Sequence, residues 1–396
     1  MNFFDKNELK ILWPFYLEIL ISTIFFILPP FAIIYFQDIG LSLIKIGLLI
    51  SSASIAALIF EVPVGAIADI WGRKTCVVFG YLCGGIALFS IAFTDNFIFI
   101  LFLYFIWGLG GTLISGAYEA WIIDNLKFRN VEYLTKNFYS HRQIFLNLSL
   151  IFSGIIATLL VSSLGMSIIW FISGFSFLLS GAILFFIKEN KLKYKREEKN
   201  IIGFFRQTLS SLKFSLKHKT IFLILIISII TSLAWSLKSD IIIFPLLKQQ
   251  GMPIYLLGYL FSLSAIIGVF VPLISKIILK KNKKESVFLG YLLVFDAILA
   301  LSVLLSKEWI FVGLIYLGMM AISDIRMPLF SNFFQELIPS KKRAALTSIN
   351  SLFISVGTII SAPLAGFLGD NLSLSATLAI SGIITLIGGL IFFKIK

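Results

Sequence analysis

Six ionisable side chains interrupt long apolar segments of the sequence, in places where packing alone does not explain them. They are Glu18, Glu119, Lys238, Asp240, Asp324 and Arg326. A charged group is costly away from water, so such groups pair with one another, face a water-filled cavity or carry protons. Desolvation raises the pKa of a carboxyl group, which suits a proton carrier. The alternative role for these residues is a permanent structural ion pair.

Other kinds of chemistry have no support in the sequence. No G-x-x-x-x-G-K-[ST] motif is present, so we expect no ATP hydrolysis within this chain. His141 and His218 are isolated, without metal-ligand spacing. Cys76 and Cys83 lie on one predicted helix at a rise of about 10 Å, too far apart for a disulfide. We therefore expect no metal, no cofactor and no catalytic residue.

The composition indicates a membrane protein, whose membrane-spanning helices must position these charges. Hydrophobic residues make up 59% of the chain and charged residues 13%, against about 45–50% and about 25% in soluble proteins. A net charge of +13 does not indicate nucleic-acid binding, because the basic residues lie between apolar segments. The apolar runs predict twelve membrane-spanning helices. We place them near 11–36, 43–67, 73–94, 97–124, 138–162, 166–188, 220–247, 254–279, 286–306, 308–335, 343–368 and 373–394.

The distribution of Lys and Arg predicts the orientation of these spans. When the twelve spans are threaded through a membrane, 28 of the 33 Lys and Arg residues fall on segments that face one side. The positive-inside rule assigns that side, with both termini, to the cytoplasm. The first apolar segment is too long for a cleavable signal, so we expect it to be retained. The sequence thus predicts a multi-pass protein of the inner or plasma membrane of the cell.

One long connection divides the chain into two sets of six spans. We predict an N-terminal bundle over 1–188, a cytoplasmic linker over 189–219 and a C-terminal bundle over 220–396. The apolar spacing over 201–216 favours an amphipathic surface helix in the linker, and a solvated linker is the alternative. Weak similarities between the halves, such as Gly110–Ser115 and Gly318–Ser323, are typical of two parallel six-helix repeats.

A short charged turn joins the second and third spans. Its residues are Gly65, Asp69, Gly72, Arg73 and Lys74. Gly65 permits close helix approach, and Gly72 permits backbone angles that a residue with a Cβ resists. The Asp69 carboxylate suits the free amides of a helix start, while Arg73 and Lys74 suit the headgroup level.

At this turn the sequence resembles the major facilitator superfamily, whose loop between helices 2 and 3 carries G-x-x-x-D-x-x-G-R-[RK]. The match is complete, and the resemblance covers essentially the whole chain. It implies an all-α polytopic membrane protein, with 12 transmembrane helices in two pseudo-symmetric six-helix bundles. It further implies that spans 1, 4, 7 and 10 line a central cavity, which places all six buried charges on cavity helices. Either Asp324 or Arg326 is expected to meet Glu18 or Glu119 across that cavity.

The resemblance also suggests roles for particular residues. Asp69 and Arg73 are expected to lock an inner gate against the start of span 11 and neighbouring span ends. Tyr118 and Trp121 flank Glu119 and are candidates for contact with an aromatic or apolar substrate. Two features depart from drug–proton antiporters, which resemble this chain otherwise. Tyr104 stands four residues before Gly108, where those antiporters carry Arg in span 4, and span 5 lacks their Gly-Pro-rich motif.

We predict a secondary active transporter of the drug-efflux-like bacterial branch, which moves a small solute by alternating access. The favoured activity is proton-coupled efflux of amphipathic compounds by an antiporter. Its expected partners are the solute, protons and the lipid bilayer, with no nucleic acid, and the protein is expected to be a monomer. Proton-coupled uptake of a nutrient or metabolite is the first alternative. A polytopic membrane enzyme is the second, and it would need a polar catalytic cluster at one membrane face.

Overall fold

A computed structural model describes residues 4–189, 218–281, 285–305, 307–339 and 343–395. Side-chain surroundings are described for all of these except Lys6, Val62, Gly65, Ala66, Asp69, 271–281 and 343–345. The expected amphipathic helix at 201–216 and most of the expected linker lie outside the described residues.

The described residues form helices joined by short turns. In the first half these are α1 Lys6–Ile24, α2 Ala32–Asp38, α3 Leu43–Trp71, α4 Arg73–Ile91, α5 Phe97–Phe128, α6 Leu134–Leu164 and α7 Ile168–Phe185. In the second half they are α8 Lys219–Leu237, α9 Asp240–Gln249, α10 Leu256–Lys281, α11 Glu285–Ser302, α12 Trp309–Leu337, α13 Arg343–Asn371 and α14 Leu374–Phe392. A 3₁₀ turn, Val303–Leu305, follows α11.

The helix lengths and composition support the twelve predicted spans. In the described part of the chain, ten helical segments are long and apolar enough to cross a membrane, with α8 and α9 counted as one segment. The apolar stretch Leu256–Phe270 of α10 is shorter. The broken pair α1–α2 accounts for the remaining span. The charged residues near the start of α1 lower the mean hydropathy of this span.

Spans 1 and 7, which the apolar pattern predicts as continuous helices, are both broken. The first break separates Ile24 of α1 from Ala32 of α2 and contains Pro29 and Pro30, which cannot donate backbone hydrogen bonds. The second break falls at Lys238 and Ser239, between α8 and α9. Interrupted helices at corresponding positions of two repeats are typical of substrate and ion sites in transporters.

The chain forms two compact units, and the boundary between them does not lie in the linker alone. The first unit comprises Met1–Tyr35 and Ser52–Glu198, and the second comprises Phe36–Ser51 and Lys199–Lys396. In this division the segment at 36–51 packs with the second unit, and the predicted boundaries of the two bundles stay a prediction.

The two units use the same helix pairings. In the first unit α4 packs on α5 and α7, and α1 packs on α6 and α7. In the second unit α11 packs on α12 and α14, and α8 packs on α13 and α14. Counted as spans, these are the same four pairs in each half. The shared pairing is what a duplicated six-helix repeat produces.

Candidate functional site

The turn between α3 and α4 depends on Gly72. Its φ is +101°, in a region that residues with a Cβ rarely adopt. A Cβ there would also lie 2.8 Å from the carboxylate Oε2 of Glu189. The Glu189 carboxylate accepts a hydrogen bond from the backbone N–H of Lys74 at 3.2 Å. Glu189 thus accepts a hydrogen bond from a free amide in the first turn of α4.

The basic residues of the turn contact neighbouring helices of the first unit. The Arg73 guanidinium pairs with Asp124 at 2.6 Å and donates to the carbonyl oxygen of Ala120 at 2.8 Å. Both partners lie on α5. The ammonium of Lys74 lies 5.2 Å from the ring centre of Phe185. Asp124, near the end of span 4, is therefore the acid that the structure brings to the turn.

Gly65 and Asp69 lie outside the residues whose side-chain surroundings are described. The expected contact of Asp69 with span 11 stays a prediction.

Glu18 is a buried carboxylate at the centre of the first unit. It is 1% exposed, and it accepts hydrogen bonds from the phenol hydroxyls of Tyr81 on α4 and Tyr118 on α5. Ser22 is a further hydroxyl partner on its own helix. Within the described side chains Glu18 makes no ion pair. Hydrogen bonds from neutral groups therefore satisfy the carboxylate, and Arg142 on α6 acts on it electrostatically without forming an ion pair.

Glu119 lies in a different environment. Its side chain is 46% exposed, and its carboxylate lies 3.5 Å from the Arg142 guanidinium on α6. Tyr139, also on α6, donates a hydrogen bond to it at 3.1 Å. The sequence groups Glu119 with Glu18, whereas the structure gives it a cationic partner and an exposed side chain.

The sequence analysis missed a second buried acid, Glu8. It is 0% exposed and accepts a hydrogen bond from Tyr16 at 2.7 Å. His141, which looks isolated in the sequence, pairs with Glu8. Asn137, one helical turn before His141, donates to Glu8 at 3.4 Å. The spacing of 137 and 141 on one helix face is the signal that could have indicated a shared partner.

Lys238, at the break in span 7, forms a buried ion pair with Asp296 on α11. Asp296 is 3% exposed, and its second oxygen, Oδ1, has no hydrogen-bond partner among the described residues. Asp296 is not among the six charges that the sequence singles out. A buried ammonium group needs a counter-charge, and this pairing supplies it.

The remaining charges of the second unit lie apart from that pair. Asp240 begins α9 and makes no ion pair with the described residues. Asp324 on α12 lies close to Gly268, whose added Cβ would be 2.8 Å from its Oδ2. Arg326 lies within the electrostatic influence of Asp296. The structure therefore associates Arg326 with the pair at the break and separates it from Asp324.

A cavity of about 380 Å³ lies in the second unit between α8, α12 and α13. Arg326, Asn350 and Trp235 line it, together with several Ser and Thr hydroxyl groups. The Oδ1 atom of Asn350 is buried and has no partner in the described part of the chain. The cavity thus combines one cation, free hydrogen-bonding capacity and aromatic surface.

The two candidate aromatic residues are packed in the interior of the first unit. Trp121 is 1% exposed, and its ring meets that of Phe15 edge-on, with the ring centres 5.2 Å apart. Tyr118 is 5% exposed and binds Glu18. Contact of either residue with a substrate stays a prediction.

In the second unit the segment at 36–51 packs tightly against α13. A Cβ on Gly47 would lie 2.3 Å from the Ala362 carbonyl oxygen, and a Cβ on Gly366 would lie 2.2 Å from that of Leu43. The Asp370 carboxylate accepts hydrogen bonds from the first two amides of α3, at 3.0 and 2.9 Å. Such a carboxylate stabilises a helix N-terminus.

A salt bridge and a hydroxyl group complete this surface of the second unit. Lys248 at the end of α9 pairs with Asp38 at 2.6 Å. Ser51 donates to the Ile359 carbonyl oxygen at 2.8 Å. We call the packed surface of 36–51, α13 and the end of α9 the α3–α13 contact.

Metal binding has no support in the part of the chain that the structure describes, because no group of three or more His, Cys, Asp or Glu side chains could hold an ion there.

Comparison with known proteins agrees with this architecture. A family model described as the Major Facilitator Superfamily matches residues 15–323 and 323–396. The uncharacterized MFS-type transporter YxaM of Bacillus subtilis (strain 168) is 26% identical over 371 residues, which cover 91% of this chain and 90% of YxaM. An uncharacterized MFS-type transporter of Methanocaldococcus jannaschii is 23% identical over 392 residues, covering 92% of each chain.

Solved structures give the same fold at low sequence identity. The nucleoside transporter NupG has a TM-score of 0.80 at 14% identity, with coverage of 96% of this chain and 98% of NupG. An auto-inhibited POT family peptide transporter has a TM-score of 0.73 at 12% identity, with coverage of 98% of this chain and 96% of the transporter. At such low sequence identity the structural similarity shows the fold alone. The substrate has to be inferred from the residues of this chain.

Proposed function

Because this chain belongs to the major facilitator superfamily, we propose that it is a secondary active transporter that exports small amphipathic compounds in exchange for protons. The protein lies in the cell membrane with both termini in the cytoplasm, which the distribution of Lys and Arg supports. It works as a monomer whose two six-span halves alternate access to a central site. Its relatives are named as transporters, which favours transport over an enzymatic activity.

The burial of Glu18 is the observation that carries the proposal of proton coupling. An ionised carboxylate in an apolar interior is costly unless a cation or a metal balances it. The described partners of Glu18 are hydroxyl groups, which stabilise either protonation state by donating or accepting. Arg142 acts on Glu18 electrostatically but forms an ion pair with Glu119, whose side chain is also 46% exposed, so Glu18 is better suited to reversible protonation.

Protonation of Glu18 would also change the packing of three helices. The carboxylate joins α1, which carries it, to Tyr81 on α4 and Tyr118 on α5. An ionised carboxylate accepts both phenol protons, whereas a protonated one must donate one hydrogen bond itself. The two states therefore favour different arrangements of the phenol groups, and a local change of charge can bias a two-state element.

The turn at Gly72 supports the gating part of the proposal. Arg73 ties the start of α4 to Asp124 near the end of α5, on the face that the charge distribution assigns to the cytoplasm. The pair is partly exposed, so it can break and re-form at modest cost. We propose that it holds this surface in the arrangement that an inner gate requires, with Asp69 as a further member.

The test is proton movement in proteoliposomes that contain the purified full chain and the pH-sensitive dye pyranine. A panel of neutral, anionic and cationic amphipathic compounds is added under an imposed pH gradient. With wild-type protein, addition of a transported compound should move protons, and the sign of the pH change distinguishes exchange for protons from co-transport with them. Glu18→Gln, which mimics the neutral acid, should reduce that proton movement to the protein-free level while solute binding is retained.

The matched control is Glu132→Gln, which removes an exposed acid beyond the end of α5 and should leave proton movement unchanged. If Glu18→Gln moves protons at the wild-type rate, Glu18 is not the coupling group. If no compound moves protons but solute flux persists, the exchange for protons is wrong and facilitated transport replaces it.

A further inference from the structure

We propose that the cavity between α8, α12 and α13 binds amphipathic organic anions that carry hydroxyl or N–H groups. This inference rests on the proposed transport function and specifies the chemical class of its substrate. Three properties of the cavity carry it: the sign of its charge, the supply of hydrogen-bond acceptors and the aromatic surface.

The charge of the cavity is positive. Arg326 is the one charged side chain among the fifteen described residues that line it. Asp296, the acid that influences Arg326 electrostatically, is already paired with Lys238. With all three groups ionised, the local charge is +1. A guanidinium group presents a planar fork of donors that matches a carboxylate or another oxyanion. An anionic solute would balance the charge, and a cationic solute would add to it.

Beside the donors of Arg326, the cavity offers hydrogen-bond acceptors, because several of its hydroxyl groups already donate their protons within the protein. Ser228 and Thr231 donate their protons to carbonyl oxygens of their own helix, at 3.1 and 2.8 Å. Ser232 donates to the Ile354 carbonyl oxygen at 2.9 Å. These hydroxyl oxygens keep lone pairs toward a ligand. The buried Oδ1 of Asn350 adds an acceptor without a partner among the described residues, and such an atom is costly to leave unpaired.

The third property is apolar surface. Trp235, Phe330 and Met327 line the same cavity, and Trp235 is 38% exposed. Aromatic faces bind flat apolar groups at small cost in side-chain entropy. The volume lies within the range of about 300–1,000 Å³ that is typical of small-molecule sites. A solute with an aromatic body, one anionic group and one donor satisfies all three properties.

The experiment measures equilibrium binding of three matched probes to the purified full chain in phosphatidylcholine nanodiscs. The probes are 4-hydroxybenzoate, 4-hydroxybenzamide and 4-hydroxybenzylamine, which share one ring and differ in charge. We expect the anion to bind most tightly. Arg326→Gln should weaken binding of the anion about tenfold or more, the loss of one charge-assisted contact, and leave binding of the amide unchanged.

Three further variants separate the site from general effects of charge or folding. Lys307→Gln removes an exposed cation before α12 and should change none of the three affinities. Asn350→Leu should abolish the preference for 4-hydroxybenzoate over benzoate, because it removes the unpaired acceptor. If the Arg326→Lys variant, which keeps the positive charge, still binds the anion, then its site is correctly folded.

Several outcomes would overturn the proposal. These are tighter binding of the amine, an unchanged anion affinity in Arg326→Gln, and no binding of any probe to wild-type protein. Loss of probe binding in nanodiscs that contain phosphatidylglycerol would assign the cavity to an anionic lipid headgroup instead. Because binding is measured without a gradient, anion preference can persist when proton-coupled flux is absent. Failure of the transport proposal is thereby distinguishable from failure of this one.

Discussion

At the residue scale, Lys238 shows how the fold balances a buried charge. The ammonium lies where α8 ends, and its counter-ion comes from a helix 58 positions further along the chain. Both side chains are nearly inaccessible to solvent. Their attraction in such a setting repays a large desolvation cost, so neither residue is stable there without the other.

Removal of one partner should therefore destabilise the protein more than removal of both. Asp296→Asn leaves a buried ammonium group without its counter-ion, at a cost of about 3–5 kcal/mol in soluble proteins. We expect a clear fall in the apparent melting temperature of the purified protein. The double variant Lys238→Met with Asp296→Leu should restore most of the lost melting temperature. A double-mutant cycle on melting temperature checks this, and additive losses would show that the pair does not interact.

Gly72 should also tolerate substitution poorly. Its φ of +101° and the nearby Glu189 carboxylate both oppose a Cβ. Gly72→Ala should cost about 1–3 kcal/mol, the usual cost of a strained backbone residue, and lower the apparent melting temperature. Gly111→Ala is the control, because a Cβ there meets no atom within 4 Å. Equal melting curves for the two variants would refute the strain argument.

Among the described residues, the candidates from the sequence include two of the four buried charges, Glu18 and Lys238, but the sequence pairs neither of them with its partner. Apolar flanks mark Glu18 and Lys238 as unusual, and both prove to be buried. The partners Tyr81, Tyr118 and Asp296 lie 58 to 100 positions away from them. No local pattern specifies such contacts, because they depend on which helix faces meet. Glu119 is the opposite case, because its apolar sequence surroundings predict burial while its side chain is 46% exposed.

At the element scale, hydropathy predicts where helices lie better than where they break. The predicted span at 97–124 corresponds to α5, Phe97–Phe128, because both ends are marked by a change from polar to apolar residues. The break at Lys238 has no proline or glycine to mark it. Apolar residues continue on both sides of Lys238, so the sequence of span 7 looks like one uninterrupted helix. The buried ion pair with Asp296 is the feature that marks the break in the structure. Pro29 and Pro30 made the corresponding break in span 1 easier to expect.

At the scale of the whole molecule, the division into units differs from the division of the sequence. The long basic connection suggests that all of 1–188 acts as one body, whereas 36–51 packs with the second unit. Gly47, Gly366 and Asp370 explain this difference, since they let α3 and α13 approach closely and cap the start of α3. Helix α3 therefore begins in one unit and ends in the other.

Alternating access would require the α3–α13 contact to open once in each cycle, on the face that the charge distribution assigns to the outside. Gly366→Leu places a side chain where a Cβ alone would lie 2.2 Å from the Leu43 carbonyl oxygen. We expect this variant to hold the contact open and to reduce solute flux to the protein-free level. The probe is Ser51→Cys, in a background where Cys76 and Cys83 are replaced by Ala. Ser51 is 4% exposed, so a membrane-impermeant maleimide should label the thiol introduced there only when the contact opens.

Gly111→Leu is the matched control for this prediction. Gly111 is exposed and a Cβ there meets no atom within 4 Å, so a larger residue there should leave labelling and flux close to wild type. Asp370→Asn should give an intermediate result, because it keeps the shape of the cap while removing its charge. If Gly366→Leu transports normally and the thiol of Ser51→Cys stays unlabelled, the α3–α13 contact is a fixed part of the second unit. The moving surface would then have to lie elsewhere, and the tight glycine packing would serve stability alone.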